Sequence, residues 1–224
     1  TEMFKRADSL LPDEEKPPDL LLFVSKDLFE KEKLEGALLR LNLLINNYPS
    51  DKKAPDAYQV KGRILFKQKR YPQAVEMFSS ALRYRLKRCK KARILIDKAG
   101  ALIKCNRNEK ALTAIGEADR LKIYCDNLYG SIYQDIGGLY LHLGYPKKAL
   151  PIFNDALEIE KEEENRIRLK LKIAQCYRLL DKKEDYLALY DQISTLNDPF
   201  WSNLAKERIE EINFNREMSK KKEE

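Results

Sequence analysis

No stretch of this sequence approaches the ~18 to 20 consecutive apolar residues of a membrane-spanning helix, the longest candidate being Leu20 to Val24. A helical span is therefore excluded from these residues. There is one histidine, His142, at the end of an expected helix with no cysteine or serine nucleophile near it in sequence, so it reads as solvated or groove-lining rather than catalytic. No glycine-rich phosphate loop is present. Glu158, Glu160, Glu162, Glu163 and Glu164 form a charged run rather than an opposed acid pair. An enzyme reading has little support, and no cofactor is expected. The four cysteines, Cys89, Cys105, Cys125 and Cys176, show neither C-x-x-C pairing nor histidine partners at zinc-site spacing. They read as reduced, buried small hydrophobes. Their even number leaves disulfides, and with them a periplasmic or cytoplasmic location, undecided. The chain starts at Thr1 with no methionine and no basic-plus-apolar leader, the pattern of an excised or processed chain. A signal peptide or anchor upstream stays open.

Glycine and proline are also scarce, 8 and 9 in 224 residues, while 43% of residues are hydrophobic and 35% charged. That balance suits a mostly helical protein. The net charge of +7 is a mild bias toward acidic partners. What the chain does have is a repeat. Tyr133-x2-Ile136-Gly137-x2-Tyr140 is followed by Ala149-x3-Phe153-x2-Ala156. Helices cross closely where side chains are small, so Gly137 is expected to face Ala149, with Ile136, Tyr140 and Phe153 around the contact. Between them, Gly144 suits a left-handed helix stop and Pro146 a helix start. The same small-x3-large pattern recurs at Ala74 after Gly62 and at Ala111 after Ala99, with weaker copies at Ala37 after Ser25 and at Tyr186 after Ala174. The anchors 37, 74, 111, 149 and 186 are thus 37 or 38 residues apart.

This wording resembles the tetratricopeptide repeat (TPR), a pair of antiparallel helices of ~34 residues. The resemblance implies an all-α, right-handed TPR superhelix (α-solenoid) of about five helix pairs plus a C-terminal capping helix. The expected repeats are 18–51, 55–88, 92–125, 130–163 and 167–197, stacked as one elongated unit, with the capping helix at 199–216 carrying Trp201. Residues 1–17 are expected as a flexible lead-in and 217–224 as a disordered tail. In the third repeat Asn108 is the expected N-cap. Asn47-Tyr48-Pro49-Ser50, Ala54-Pro55-x-Ala57-Tyr58, Gly62, Tyr71 and Ala74 resemble bacterial cell-envelope members of the family.

The family generally binds a peptide or partner helix in a concave groove lined by first helices. Carried over unit by unit, the groove positions are Lys26 and Phe29, then Gln59, Arg63, Phe66 and Lys67. They continue with Ile96, Gly100 and Ile103, then Gln134, Gly138, Leu141 and His142, and end with Leu171, Gln175 and Arg178. Gly100 and Gly138 are expected to leave shallow depressions that admit partner side chains. The clamp by which some members hold a chaperone's terminal carboxylate is mostly missing, its positions holding Leu22, Lys26, Val60, Arg93 and Asp97. The basic run Arg83, Arg85, Lys87, Arg88, Lys90, Lys91 and Arg93 offers the alternative of a polyanion surface, nucleic acid included. It has only Tyr84 for an aromatic and no recognised nucleic-acid module. The reading is a non-catalytic interaction scaffold, with self-association through the C-terminal helix as a further possibility.

Overall fold

The computed structural model describes residues 2–125 and 129–223, and of residues 2, 5, 129, 130, 215–217 and 219–223 the backbone alone. It contains, among the described residues, helices and no strand: α1 (Glu2–Leu10), α2 (Pro18–Glu30), α3 (Leu34–Asn47), α4 (Ala54–Lys67), α5 (Tyr71–Ala81), α6 (Arg88–Lys104), α7 (Asn108–Leu121), a 3-10 turn (Lys122–Tyr124), α8 (Tyr129–His142), α9 (Pro146–Ile159), α10 (Glu163–Leu179), α11 (Lys183–Ser194) and α12 (Pro199–Glu223). From α2 to α11 they form five antiparallel pairs, in two compact units, Thr1–Tyr124 and Cys125–Glu224, where the sequence reading had one stack.

The five pairs turn in the same way, at the same register. Glu32, Lys69, Asn106, Gly144 and Asp181, again 37 or 38 residues apart, are the residues with positive φ among the described ones, between 57° and 79°. Each sits in a pair of closing bonds. At the first turn the Lys33 N–H donates to the Leu28 carbonyl (2.8 Å) and the Glu32 N–H to the Phe29 carbonyl (3.1 Å). At the fourth, Tyr145 donates to Tyr140 (2.9 Å) and Gly144 to Leu141 (3.0 Å). This double bond satisfies the last carbonyls of one helix while a left-handed residue redirects the chain. The next helix starts directly after it, so Arg107 precedes α7 and Asn108 is its first residue rather than its cap.

Packing inside each pair follows a size rule. Sixteen residues separate Ser25 from Leu41, Gly62 from Phe78, Ala99 from Ile115, Gly137 from Phe153 and Ala174 from Tyr190. A Cβ on Gly137 would lie 2.7–2.9 Å from three atoms of the Phe153 ring, and one on Gly62 2.5–2.9 Å from that of Phe78. Gly137 thus lies directly against the Phe153 ring. Both rings are almost fully buried. The two glycines allow a fully buried phenyl where Ser25 and Ala99 leave room for Leu or Ile; the fifth pair is the exception, with Tyr190 opposite Ala174 and only half-buried.

The extra residues per repeat go partly into longer first helices. α6 and α10 start at 88 and 163, four residues before the positions read from the sequence. The early start of α6 puts Arg88, Lys90 and Lys91 in its first turn, where cations oppose the helix dipole. Partners offset this: Lys90 pairs with Asp56 (2.6 Å), Lys91 with Glu117 (2.5 Å), and Arg88 lies 4.0 Å over the Tyr124 ring.

Both termini depart from expectation. Residues 2–10, read as a flexible lead-in, form α1 against α2. Phe4 stacks on Phe23 at 4.5 Å, and buried Asp8 accepts from the Arg40 guanidinium (2.7 Å) with Lys16 at 3.7 Å. At the other end the helix beginning at Pro199 continues past 216 to Glu223, through the stretch read as a disordered tail. Asp198 Oδ1 caps it, accepting from the N–H groups of Phe200 and Trp201. Trp201 packs on a cluster of Ile167, Ile193 and Ala205 with Tyr190.

Candidate functional site

The first helices carry the positions assigned to a groove, and each unit is described by itself. In the first unit Lys26 is exposed on α2, whereas Phe29 leans on the core cluster around Leu21, Leu41 and Leu44. Ile96 and Ile103 of α6 are 7% and 9% exposed. These three are withdrawn between helices rather than offered to a partner, because apolar side chains of a helix flanked on both sides are absorbed by its neighbours. Phe66 is half-buried, edge-on to Tyr71 at 5.2 Å.

The polar members of the same face are tied together. Asp97 Oδ2 of α6 accepts from Gln59 Nε2 (2.7 Å) and from the Arg63 Nε and Nη2 (2.8 Å each), both on α4. Lys67 pairs with Glu32 at 2.6 Å, between α4 and the first turn. Asp97 and Glu32 were not singled out as groove residues, although Gln59 and Arg63 lie 38 and 34 residues from Asp97, straddling the repeat length. So Arg63 and Lys67 meet a partner already partly neutralised. Gly100, three residues after Asp97 on α6, has open space where its Cβ would stand.

In the second unit Gln134 and Leu141 are half-buried on α8, His142 is exposed at its last residue, and Gly138 again has nothing within 4 Å of an added Cβ. On α10, Gln175 and Arg178 are exposed, and Leu171 packs against the Ile167 cluster.

The basic run is dispersed. Lys90, Lys91 and Arg88 are engaged as described, and Arg93 is half-buried, leaving Arg83, Arg85 and Lys87 exposed with no ion pair among the described residues. Duplex DNA binding through this run should therefore show a log K against log salt slope of about −3, not the about −6 of seven phosphate contacts. A titration between low and physiological salt decides it, and the steeper slope would restore the polyanion reading.

Apart from these faces, a cleft of about 380 Å³ lies in the first unit among α5, α6 and α7, lined by Val75, Leu95 and Leu102 with Lys98, Arg107 and Lys110 at its edge. None of the residues assigned from the sequence lines it. Its signal was a change in side-chain size between repeats, which a search for shared positions passes over.

None of the four cysteines is in a disulfide; Cys125 and Cys176 are buried, Cys89 and Cys105 half-buried. Burial pushes the Cys176 thiol up to about 11, so at pH 8 almost none of it is thiolate, the reactive form. A disulfide reagent at pH 8 should modify Cys89 and Cys105 quickly, and Cys125 and Cys176 only on unfolding. Rapid loss of all four thiols from native protein would contradict the packing of α10. Among the described residues no group of His, Cys, Asp and Glu could hold a metal ion, and no helix is long and apolar enough to cross a membrane.

Residues 130–163 match the model of the tetratricopeptide repeat. The fold is similar to that of YrrB, described as a TPR protein with an unusual peptide-binding site, with a TM-score of 0.63 and 19% identity over 91% of this chain and 97% of that one. It is similar to PilF of Pseudomonas aeruginosa, at 0.65 and 19% over 89% and 86% of the two chains. BtubC from P. vanneervenii gives 0.66 and 14% over 86% and 80%. At such identities the likeness is one of fold. No curated protein matches in sequence.

Proposed function

We propose that this chain, a tetratricopeptide-repeat protein by its matched repeat and its fold, is a non-catalytic scaffold that holds a peptide or a segment of a partner protein against its first-helix faces. The observation that carries this reading is the open space beside Gly100 and Gly138. Each lies one residue after its repeat's small packing position, and each is bare of neighbours where Gly62 and Gly137 are filled by a phenyl ring. A side chain from a partner can lie against such an open position without moving the helices. YrrB, of the same fold, is described as binding peptide. Because the face is preformed, the partner segment supplies most of the ordering entropy, and affinity in the micromolar range follows. The likeness of residues 47–74 to cell-envelope members makes bacterial envelope assembly, secretion or export the setting we favour.

The test is capture from the source organism's lysate on the immobilised chain, beside Gly100→Trp and Gly138→Trp, with and without nuclease. These variants occupy the open positions and spare the ion pairs; reversing Arg63 or Lys67 would instead set like charges against Asp97 and Glu32. The expected result is a discrete protein held by the parent regardless of nuclease and weakened about tenfold or more by at least one variant. Retention that ignores both substitutions, or that vanishes with nuclease, would remove the reading.

A further inference from the structure

We propose that the cleft among α5, α6 and α7 is a second docking site, taking a partner segment that sets a bulky apolar side chain between carboxylates. This rests on the scaffold reading and adds a surface formed largely by second helices. The floor is apolar, from Val75, Leu95, Leu102 and Ala114, and its volume of about 380 Å³ is within the ~300–1,000 Å³ of ordinary ligand sites. Its edge is cationic. Lys98, Arg107 and Lys110 make no ion pair among the described residues, while the one acid of the lining, Glu117, is held by Lys91 at 2.5 Å.

The preceding repeat shows why the space and the charge arise here. The equivalents of Val75, Leu95 and Ala114, 37 residues earlier, are the larger Leu38, Tyr58 and Met77. The equivalent of Lys98 is Lys61, whose ammonium donates to Asn42 at 2.7 Å. In the cleft the asparagine position is Ser79, whose hydroxyl is turned back to the Val75 carbonyl of its own helix at 2.7 Å. Lys98 is left half-buried with no hydrogen-bond acceptor among the described residues. Burial lowers its pKa, partly offset by the attraction of Glu117. An incoming carboxylate would return to Lys98 the acceptor that Asn42 gives Lys61, while the apolar side chain beside it covers Val75 and Leu102.

A random peptide library displayed on phage tests this, selected on the full chain and counter-selected on Ala114→Met. Methionine is the residue the preceding repeat carries at 77, so the cleft is filled by a side chain that this packing already accommodates. Lys98→Gln removes the charge at nearly unchanged size. The proposal expects the peptides recovered on the parent and lost on Ala114→Met to carry net negative charge beside Leu, Ile or Phe. Synthetic copies should bind both variants about tenfold more weakly. It is overturned if the cleft-dependent peptides are not acidic, if Lys98→Gln binds them within about twofold of the parent, or if no peptide depends on the cleft. Acidic peptides lost on Gly100→Trp and retained on Ala114→Met would leave the scaffold standing and the second site refuted. No peptide recovered at all would count against both.

Discussion

Gly137→Ala is expected to destabilise the second unit by about 1–3 kcal/mol, while Gly138→Ala, one residue later, stabilises it by about 0.5–1 kcal/mol. The two substitutions are chemically identical, and both improve helix propensity. They differ in what the new methyl meets. At 137 it meets the fully buried Phe153 ring at 2.7–2.9 Å; at 138 it meets nothing within 4 Å. The ring has no free volume to retreat into, since α8 and α9 close on it, so overpacking outweighs the propensity gain. Phe153→Leu should rescue Gly137→Ala, because that pair recreates the combination of Ala99 with Ile115 in size, and a double-mutant cycle should return a coupling of about 1–3 kcal/mol. The only tryptophan, Trp201, lies in this unit, so denaturant unfolding followed by its fluorescence reads the effect directly. Equal responses at the two glycines would refute the size rule.

The second large effect concerns the turns. Gly144→Val should cost about 2 kcal/mol, because φ of 79° is a region that a β-branched residue strongly avoids. Asp181→Gly, at the equivalent turn with φ of 58°, should raise stability by about 0.5–1 kcal/mol, left-handed strain relieved minus the added entropy of the unfolded chain. Both residues are in the unit that Trp201 reports. A lower midpoint for Asp181→Gly would mean that its carboxylate does something in the turn that the hydrogen bonds do not reveal.

These turns show how far the sequence could be read. At Gly144 the residue type matched the backbone, and the repeat length located the turn. At Glu32, Lys69 and Asp181 ordinary polar residues occupy the left-handed position, and only the alignment of the repeats points there. The pairing of helices was legible because small anchors such as Ala37, Ala74, Ala111 and Ala149 recur, all of them buried. Which large residue each glycine faces was not, because the spacing of twelve to the next small residue concealed the spacing of sixteen to the ring. α1 was missed for a different reason. Its helix is short and polar, followed by prolines, and its hold on the fold comes from contacts with no local signature: Phe4 on Phe23, and Asp8 on Arg40, 32 residues away.

The candidate site was read position by position, and that is where the reading was weakest. Transferring family positions singly found Gly100 and Gly138, which are open, and also Ile96 and Ile103, which are buried. It had no means to see that Asp97 would gather Gln59 and Arg63, since that is a property of two repeats together. Charge pairs at near-repeat spacing are the signal that was available. The basic run makes the same point: all seven of its members read as clustered charge, yet Lys90 and Lys91 face acids more than 25 residues away in sequence.

Hydrogen exchange on the full chain, alone and saturated with its captured partner, tests the central claim most directly. The account predicts slowed exchange in first helices, within 88–104 of the first unit or 129–142 of the second, beside Gly100 or Gly138. Protection confined to second helices, or to α12, would contradict it and move the partner away from the first-helix faces.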